Sequence, residues 1–278
     1  MPESMNINAA SFITVDGLKL RHLRSDTGQG IPVMLTSPWP ESLFAFARIW
    51  PKLTAEAPLV ALDLPGFGRS EGRADIMSPK AMGHFLPKVL QALGLKRIHA
   101  VGPDVGTSAF LFAASSYPNL FESLVVGTGA TDVALAAGGL KDIIDAPSTK
   151  PFEGMTGEDF ATGSIDRMMK TKPAPQILDD YRASSAGRRF IEAMAYVRAY
   201  PRDLPELCAA LPGIRTPVLS IWGALDPIVP PANADVLNKA LPRTRSIVLD
   251  ATHFVWEDRA DEYAAAILDW IRGRYKVV

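Results

Sequence analysis

The stretch from residue 97 to residue 116 constrains the fold of this chain more than any other part of the sequence. An apolar, β-prone run ends in Gly102-Pro-Asp104-Val-Gly106, and a helix-forming run, Ala109 to Ser116, follows at once. Glycines two positions either side of a polar residue let other backbone pass close by and let that residue adopt a strained turn conformation. The pattern predicts a strand, a tight turn that exposes Asp104, and a helix; the simpler alternative is an ordinary turn in which Asp104 caps the helix.

Buried strands and helices alternate along the rest of the chain. A hairpin with its turn at Asp16-Gly17 is predicted first. Strand-like runs then occupy residues 31–36, 59–63, 124–127, 216–222 and 245–249, and helical patterns occupy residues 44–53, 82–93, 231–240 and 260–275. This alternation is typical of an α/β fold, in which helices cover both faces of a mostly parallel sheet.

The pattern changes between residues 130 and 212, where only helical pieces are predicted. They lie at about residues 140–145, 157–170, 175–185 and 188–200, and Thr156-Gly-Glu-Asp159 resembles a capping box. We therefore predict a core domain, residues 1–129 and 213–278, with a helical lid (cap) inserted at residues 130–212.

Composition excludes several classes of partner. The 278-residue chain has a formal net charge of -1, so no nucleic-acid surface is expected. It has no apolar run of about 20 residues that could span a membrane, and no secretory signal is visible. The single cysteine, Cys208, excludes an intrachain disulfide and a multi-cysteine metal site. We expect a cytoplasmic protein without metal or cofactor, and a homodimeric assembly is left open.

Two further polar residues follow late strands. Asp226 lies on the turn Gly223-Ala-Leu-Asp226, and His253, alone among the four histidines, lies on a loop after a late strand. Parallel strands place their carboxyl ends at one edge of a sheet, so Asp104, Asp226 and His253 are expected to converge there. Asp132, which follows the preceding strand, is a rival for the role of the acid.

From about Phe12 to the C-terminus, the chain resembles the α/β-hydrolase superfamily. The motifs that carry the resemblance are Val-Gly-Pro-Asp104-Val-Gly, Gly-Ala-Leu-Asp226-Pro-Ile-Val, Ala-Thr-His253-Phe-Val-Trp-Glu-Asp and the structural run Asp63-Leu-Pro-Gly-Phe-Gly-Arg-Ser70. Within the superfamily it is similar to the branch with an aspartate nucleophile, which contains epoxide hydrolases and haloalkane or haloacetate dehalogenases. The resemblance implies an α/β-hydrolase fold and a triad of nucleophile Asp104, acid Asp226 and base His253, in that chain order.

The same resemblance places the oxyanion hole. The family commonly has His-Gly-x-Pro after its third strand, where this chain has Ser37-Pro38-Trp39-Pro40. The resemblance implies that the backbone N–H groups of Trp39 and Val105 are the two donors. The loop is free to take a different path, because its first two residues depart from the family pattern.

An aspartate nucleophile restricts the chemistry. A carboxylate with an ordinary pKa of about 3.9 is already ionised at neutral pH and needs no base in order to attack. Attack on an ester carbonyl would give an anhydride, whereas attack on an sp3 carbon gives an alkyl-enzyme ester that His253 and Asp226 hydrolyse with water. We therefore expect a small apolar organic substrate that is either an epoxide or an alkyl halide.

The sequence favours the epoxide by a small margin. Val105 stands where many dehalogenases have a tryptophan that binds the halide, and the lid contains tyrosines but no tryptophan. The candidate proton donors are Tyr181, Tyr196 and Tyr200. Epoxide hydrolases usually carry a Tyr-Arg pair on the late lid helix, but here the order is Tyr196-Val197-Arg198, and a slip of one residue rotates a helical side chain by about 100°.

Other interpretations stay open at this point. Phe254 and Trp256 are candidate substrate-binding residues, although both are equally suited to the core. The reaction could be a dehalogenation, or hydrolysis of a lactone or ester in which Asp104 acts as a general base for water. A catalytically silent binding protein on the same fold is the alternative from another class, and the complete set of Asp104, Asp226 and His253 argues against it.

Overall fold

The computed structural model describes residues 4–25 and 28–278, and one eight-stranded sheet forms its centre. The strands are β1 (Ser11–Val15), β2 (Leu18–Arg24), β3 (Val33–Thr36), β4 (Leu59–Leu62), β5 (Ile98–Pro103), β6 (Phe121–Gly127), β7 (Val218–Gly223) and β8 (Thr244–Leu249). Their order across the sheet is β1-β2-β4-β3-β5-β6-β7-β8. The pairs β1–β2 and β2–β4 are antiparallel and the other pairs are parallel. The sheet is mostly parallel, as the alternating pattern predicts.

Helices pack on both faces of this sheet. They are α1 (Trp50–Thr54), α2 (Pro79–Ala92), α3 (Val105–Ser116), α4 (Gly138–Asp145), α5 (Gly157–Met168), α6 (Pro175–Ser185), α7 (Arg189–Arg198), α8 (Tyr200–Ala210), α9 (Asn233–Ala240), α10 (Val255–Asp258) and α11 (Ala260–Ile271). Successive residues of a strand point to opposite faces. Met34 of β3 accordingly packs in the apolar cluster that contains α2 and α3, whereas Leu35 packs in the cluster that contains α1 and α11.

Three helical predictions differ from the structure. The closing helix predicted over residues 260–275 ends at Ile271, and a 3-10 turn, Arg274–Val277, follows it. The helix predicted over residues 44–53 is a short 3-10 turn, Leu43–Phe46, followed by α1. The last predicted lid helix, residues 188–200, ends at Arg198, and a further helix, α8, follows it. Two prolines in α8 conceal it in the sequence: Pro201 occupies the first turn, where a missing N–H costs nothing, and Pro205 lies inside the helix.

Helices α4 to α8 lie between β6 and β7, in the range predicted as the lid, and we keep the name lid for residues 130–212. Thr156 Oγ1 accepts the Asp159 N–H at 3.0 Å and caps α5, as the capping pattern predicts. Arg21 of β2 donates two hydrogen bonds of 2.9 Å to Asp180 of α6, and both side chains are buried. This bidentate ion pair fixes α6 to the sheet. Among the described residues, no helix is long and apolar enough to cross a membrane.

Candidate active site

Asp104 lies at the junction of β5 and α3 in a strained backbone conformation, with φ 52° and ψ -122°. The two neighbouring glycines are required by close packing. A Cβ on Gly102 would lie 2.3 Å from the ring of Phe110, and a Cβ on Gly106 would lie 2.6 Å from Thr36 Oγ1. The Asp104 side chain makes no capping hydrogen bond to α3. The turn therefore exposes the carboxylate rather than using it as a helix cap.

The two carboxylate oxygens of Asp104 have different neighbours. Oδ2 accepts a hydrogen bond of 2.6 Å from the backbone N–H of Trp39, on the loop after β3. Oδ1 lies 3.7 Å from His253 Nε2. Val105 is the first residue of α3, so its N–H has no acceptor within the helix. The loop after β3 thus brings Trp39 to the place where the sequence predicts an oxyanion donor.

His253 and Asp226 come together at the carboxyl edge of the sheet, after β8 and β7 respectively. His253 Nδ1 lies 2.8 Å from Asp226 Oδ2. The other oxygen of Asp226 accepts the backbone N–H groups of Ile228 and Val229, each at 2.9 Å. These contacts orient the carboxylate toward the imidazole. Asp132, the rival acid, instead accepts the Ala134 N–H at 3.0 Å.

The net charge of the site depends on whether His253 is protonated. Its burial alone would lower the pKa of the imidazole, but the carboxylates of Asp226 and Asp104 outweigh that effect and raise the pKa to about 10. The resting site at neutral pH therefore holds an imidazolium between two carboxylates. One proton is stored next to the nucleophile.

A pair of buried acids lies behind the triad, and sequence reasoning missed both. Glu41 Oε2 accepts the Trp256 indole N–H at 3.0 Å, and Glu257 accepts the Tyr181 hydroxyl at 3.0 Å. Burial, followed by the charge of Glu257, raises the pKa of Glu41 well above its usual range, and burial raises that of Glu257 to about 7. Glu41 directly follows the quoted run Ser37-Pro38-Trp39-Pro40, and Glu257 is part of the quoted His253 motif, but the sequence carries no sign that either is buried.

A cavity of about 350 Å³ opens over Asp104 and His253. Its other lining residues are Trp39, Pro40, Gly138, Gly139, Leu140, Ile143, Phe160, Ser164, Arg167, Met168, Val197, Pro227, Ile228 and Phe254. Phe254, a candidate substrate-binding residue, therefore lines the cavity, whereas Trp256, the other candidate, contacts Glu41 instead. The lining is mainly apolar, and its polar lid residues, Ser164 and Arg167, were not predicted because the rotation of α5 cannot be read from the sequence.

The structure does not bring the three lid tyrosines to this cavity. Tyr196 donates a hydrogen bond of 2.7 Å to the Val105 carbonyl and lies 3.1 Å from Ser108 Oγ. Tyr200 is buried edge-on to Tyr196, with ring centroids 6.0 Å apart. Tyr181 donates to Glu257. For Tyr196 the reason is the one-residue displacement from the Tyr-Arg pattern on α7. Val197 lines the cavity, and its neighbour Tyr196, turned by about 100°, points into the core.

Asp104 stands in the tight turn between β5 and α3, residues 102–106, which we call the elbow. An aspartate in such an elbow, with a histidine and an acid after later strands of a mostly parallel sheet, defines the class of α/β-fold hydrolases. Residues 35–266 match the model of the alpha/beta hydrolase family, and the chain belongs to that family. The α/β-hydrolase fold predicted from the sequence is thereby confirmed.

Similar proteins support this placement. "Uncharacterized hydrolase YugF" of Bacillus subtilis is 26% identical over 273 residues, which cover 93% of this chain and 96% of the relative. A soluble epoxide hydrolase of Corynebacterium sp. is 25% identical over 112 residues, 40% of this chain and 38% of the relative. A thermophilic esterase from Thermogutta terrifontis has the same fold, with a TM-score of 0.74, 21% identity, and coverage of 95% of this chain and 98% of the other.

Proposed function

We propose that this hydrolase opens an epoxide to a diol through a covalent ester on Asp104. The observation that carries the proposal is the position of the carboxylate. It stands in the strained elbow with Oδ2 on the Trp39 N–H and Oδ1 toward His253, at the floor of an apolar cavity. The substrate class expected is a small, largely apolar organic molecule.

In the first half of the reaction, Asp104 Oδ1 attacks an epoxide carbon and the C–O bond of the ring breaks. The electron pair of that bond leaves on the ring oxygen, which becomes an alkoxide. Oδ2 stays on the Trp39 N–H and becomes the carbonyl oxygen of the new ester. The apolar cavity excludes competing water from the carboxylate, which strengthens it as a nucleophile.

The alkoxide then needs a proton, and the site holds one. His253 is the imidazolium in the resting site, because Asp226 and Asp104 raise its pKa to about 10 despite its burial. Esterification removes the charge of Asp104, so the pKa of His253 falls as the far more basic alkoxide appears. We infer that the proton passes from His253 to the alkoxide through water, and that His253 becomes a neutral base.

In the second half, neutral His253 takes a proton from water, and the hydroxide formed attacks Cγ of the ester. The negative charge that develops on Oδ2 is stabilised by the Trp39 N–H and, we infer, by that of Val105. Collapse releases the diol and restores the Asp104 carboxylate and the imidazolium. One proton therefore cycles within the site, and the net reaction is epoxide plus water to diol.

Dehalogenation is the second candidate because its first step is the same. The observation that favours it is the absence, among the described residues that line the cavity, of any phenol to donate to an alkoxide. It differs in its proton balance, because a halide leaves as the anion and His253 must lose its proton to solvent before it can act as the base. Hydrolysis of a lactone or ester, with Asp104 as base for water, needs no adduct at all.

The test is a mass measurement on the His253→Gln variant after incubation with a terminal epoxide, a haloalkane, a haloacetate or an aryl ester. We expect the epoxide to add its full mass to the peptide that contains Asp104, because the ester forms and cannot be hydrolysed. A single turnover of the wild-type protein in ¹⁸O-labelled water should place the label on Asp104. The Asp104→Asn variant should form no adduct.

The four substrates separate the candidates. An adduct with a haloalkane or haloacetate alone would overturn the epoxide reaction in favour of dehalogenation. Ester turnover without any adduct would overturn the covalent mechanism. Wild-type activity in the Asp104→Asn variant would exclude Asp104 as the nucleophile.

A further inference from the structure

The cavity over Asp104 has a cation in its wall. Arg167 lines it from the last turn of α5 and is exposed to solvent. Phe160, Ser164 and Met168 line the cavity from the same helix. Their spacing of four, seven and eight residues from Phe160 puts all four side chains on one helix face. One face of α5 therefore carries the apolar wall and ends in a positive charge.

Arg167 differs from the other arginines of the lid in having no partner. Among the described residues, its guanidinium makes no hydrogen bond or ion pair. The other lid arginines are bound as follows: Arg182 to Asp179, Arg188 to Glu192, Arg189 to the carbonyls of Gly68 and Ser70, Arg198 to those of Ile143 and Ala146, and Arg202 to Asp203. The acid beside Arg167, Asp166, pairs with Lys172. The five N–H donors of Arg167 are thus free for a ligand.

The backbone that carries Arg167 is fixed relative to the triad. Asp258 Oδ1 accepts the N–H groups of Lys170 and Thr171, each at 2.8 Å, at the end of α5. The hydroxyl of Thr252, the residue before His253, donates to the Met168 carbonyl. Gly163, one turn before Arg167, leaves space for the guanidinium, which would lie 3.1 Å from a Cβ at that position. The backbone from which Arg167 reaches the cavity is therefore fixed relative to the triad.

We propose that Arg167 binds a carboxylate on the substrate, so that the preferred substrate is an acid whose reactive carbon is separated from its carboxylate by an apolar body. The planar guanidinium matches a carboxylate with two parallel hydrogen bonds. The Asp104 carboxylate repels a second negative charge, so the acid group stays at the mouth and the apolar body fills the cavity. This proposal rests on the proposed function, because it takes the epoxide as the group that enters first.

The experiment compares ω-epoxyalkanoates of increasing chain length with their primary amides, which have nearly the same shape and no charge. We expect the wild-type protein to prefer the acid over the amide through a lower KM, most strongly at one chain length. Arg167→Gln should lower the acid-to-amide ratio of kcat/KM by about tenfold, the scale of a charged hydrogen bond at a partly exposed site. Arg167→Lys should keep part of the preference. Lys170→Gln, an exposed cation on the same segment outside the cavity lining, should keep all of it.

Salt provides a second readout, since the preference should decline as ionic strength rises through the range in which exposed charges are screened. An acid-to-amide ratio that is the same in the wild-type and Arg167→Gln proteins would overturn the role of Arg167 while leaving epoxide opening intact. If neither the epoxy acid nor its amide reacts, the proposed function has failed. Binding of the corresponding alkanoate, which lacks the epoxide, then tests the role of Arg167 separately. Calorimetric binding equal in the wild-type and Arg167→Gln proteins would then overturn it, and binding weakened about tenfold by Arg167→Gln would support it.

Discussion

Tyr196→Phe separates the structural position of this tyrosine from a role as proton donor. Its hydroxyl is fully buried, donates to the Val105 carbonyl at 2.7 Å and lies 3.1 Å from Ser108 Oγ. Removal of the hydroxyl leaves both oxygens without that partner, which costs about 1–3 kcal/mol. Because Val105 is the first residue of α3, its carbonyl is also the acceptor for the next helical turn, so we expect the lower part of that range, about 1–2 kcal/mol of unfolding free energy. For a chain of this size, that corresponds to a melting temperature lower by roughly 2–6 °C.

The assay measures urea unfolding by tryptophan fluorescence together with kcat for the best epoxide substrate. Loss of a general acid typically lowers the rate by about 10²–10⁴, whereas we expect kcat to stay within about tenfold of the wild-type value. Tyr263→Phe is the matched control. Its buried hydroxyl has no hydrogen-bond partner among the described residues, so its removal should leave stability unchanged or raise it. A hundredfold loss of kcat in Tyr196→Phe with unchanged stability would refute the structural role.

Two further predictions concern the elbow and the stored proton. Gly129→Ala should lower both stability and kcat, because its Cβ would lie 2.2 Å from the Asp104 carbonyl oxygen and 2.5 Å from Thr107 Cβ; overpacking of this kind costs about 1–3 kcal/mol. Gly213→Ala, whose Cβ would have no described residue within 4 Å, is the control, and equal urea midpoints for the two variants would contradict the packing argument. The folded-state pKa of His253 is raised from 6.5 to about 10, so the stability it contributes is complete below pH 6.5 and is lost as pH rises through about 10. The difference in unfolding free energy between the wild-type protein and His253→Gln should therefore decrease over that range, and parallel pH profiles would exclude a raised pKa.

The features predicted correctly are those that depend on where parallel strands end. The strand patterns locate the carboxyl edge of the sheet, and Asp226 and His253 follow β7 and β8 directly, so their convergence requires no knowledge of side-chain rotation. The elbow is similarly determined by backbone constraints. Only glycine fits at positions 102 and 106, and the sequence shows both. The backbone geometry at the strand ends can thus be predicted from the types of residue present and their order in the sequence.

The lid is different because its contribution to the site depends on the rotation of helices. A change of one residue turns a side chain by about 100°, which separates Val197 in the cavity wall from Tyr196 in the core. That rotation is set by contacts between distant parts of the chain, such as the buried pair of Arg21 and Asp180, which are 159 positions apart in the sequence. A tyrosine in the lid therefore indicates a proton donor only when the rotation of its helix relative to the cavity is known. In this chain, the rotation of the lid helices keeps the tyrosines out of the cavity lining and places Arg167 in it. We therefore expect the lid to select substrates by the group at the end remote from the reacting carbon, and not by donating a proton to the leaving group.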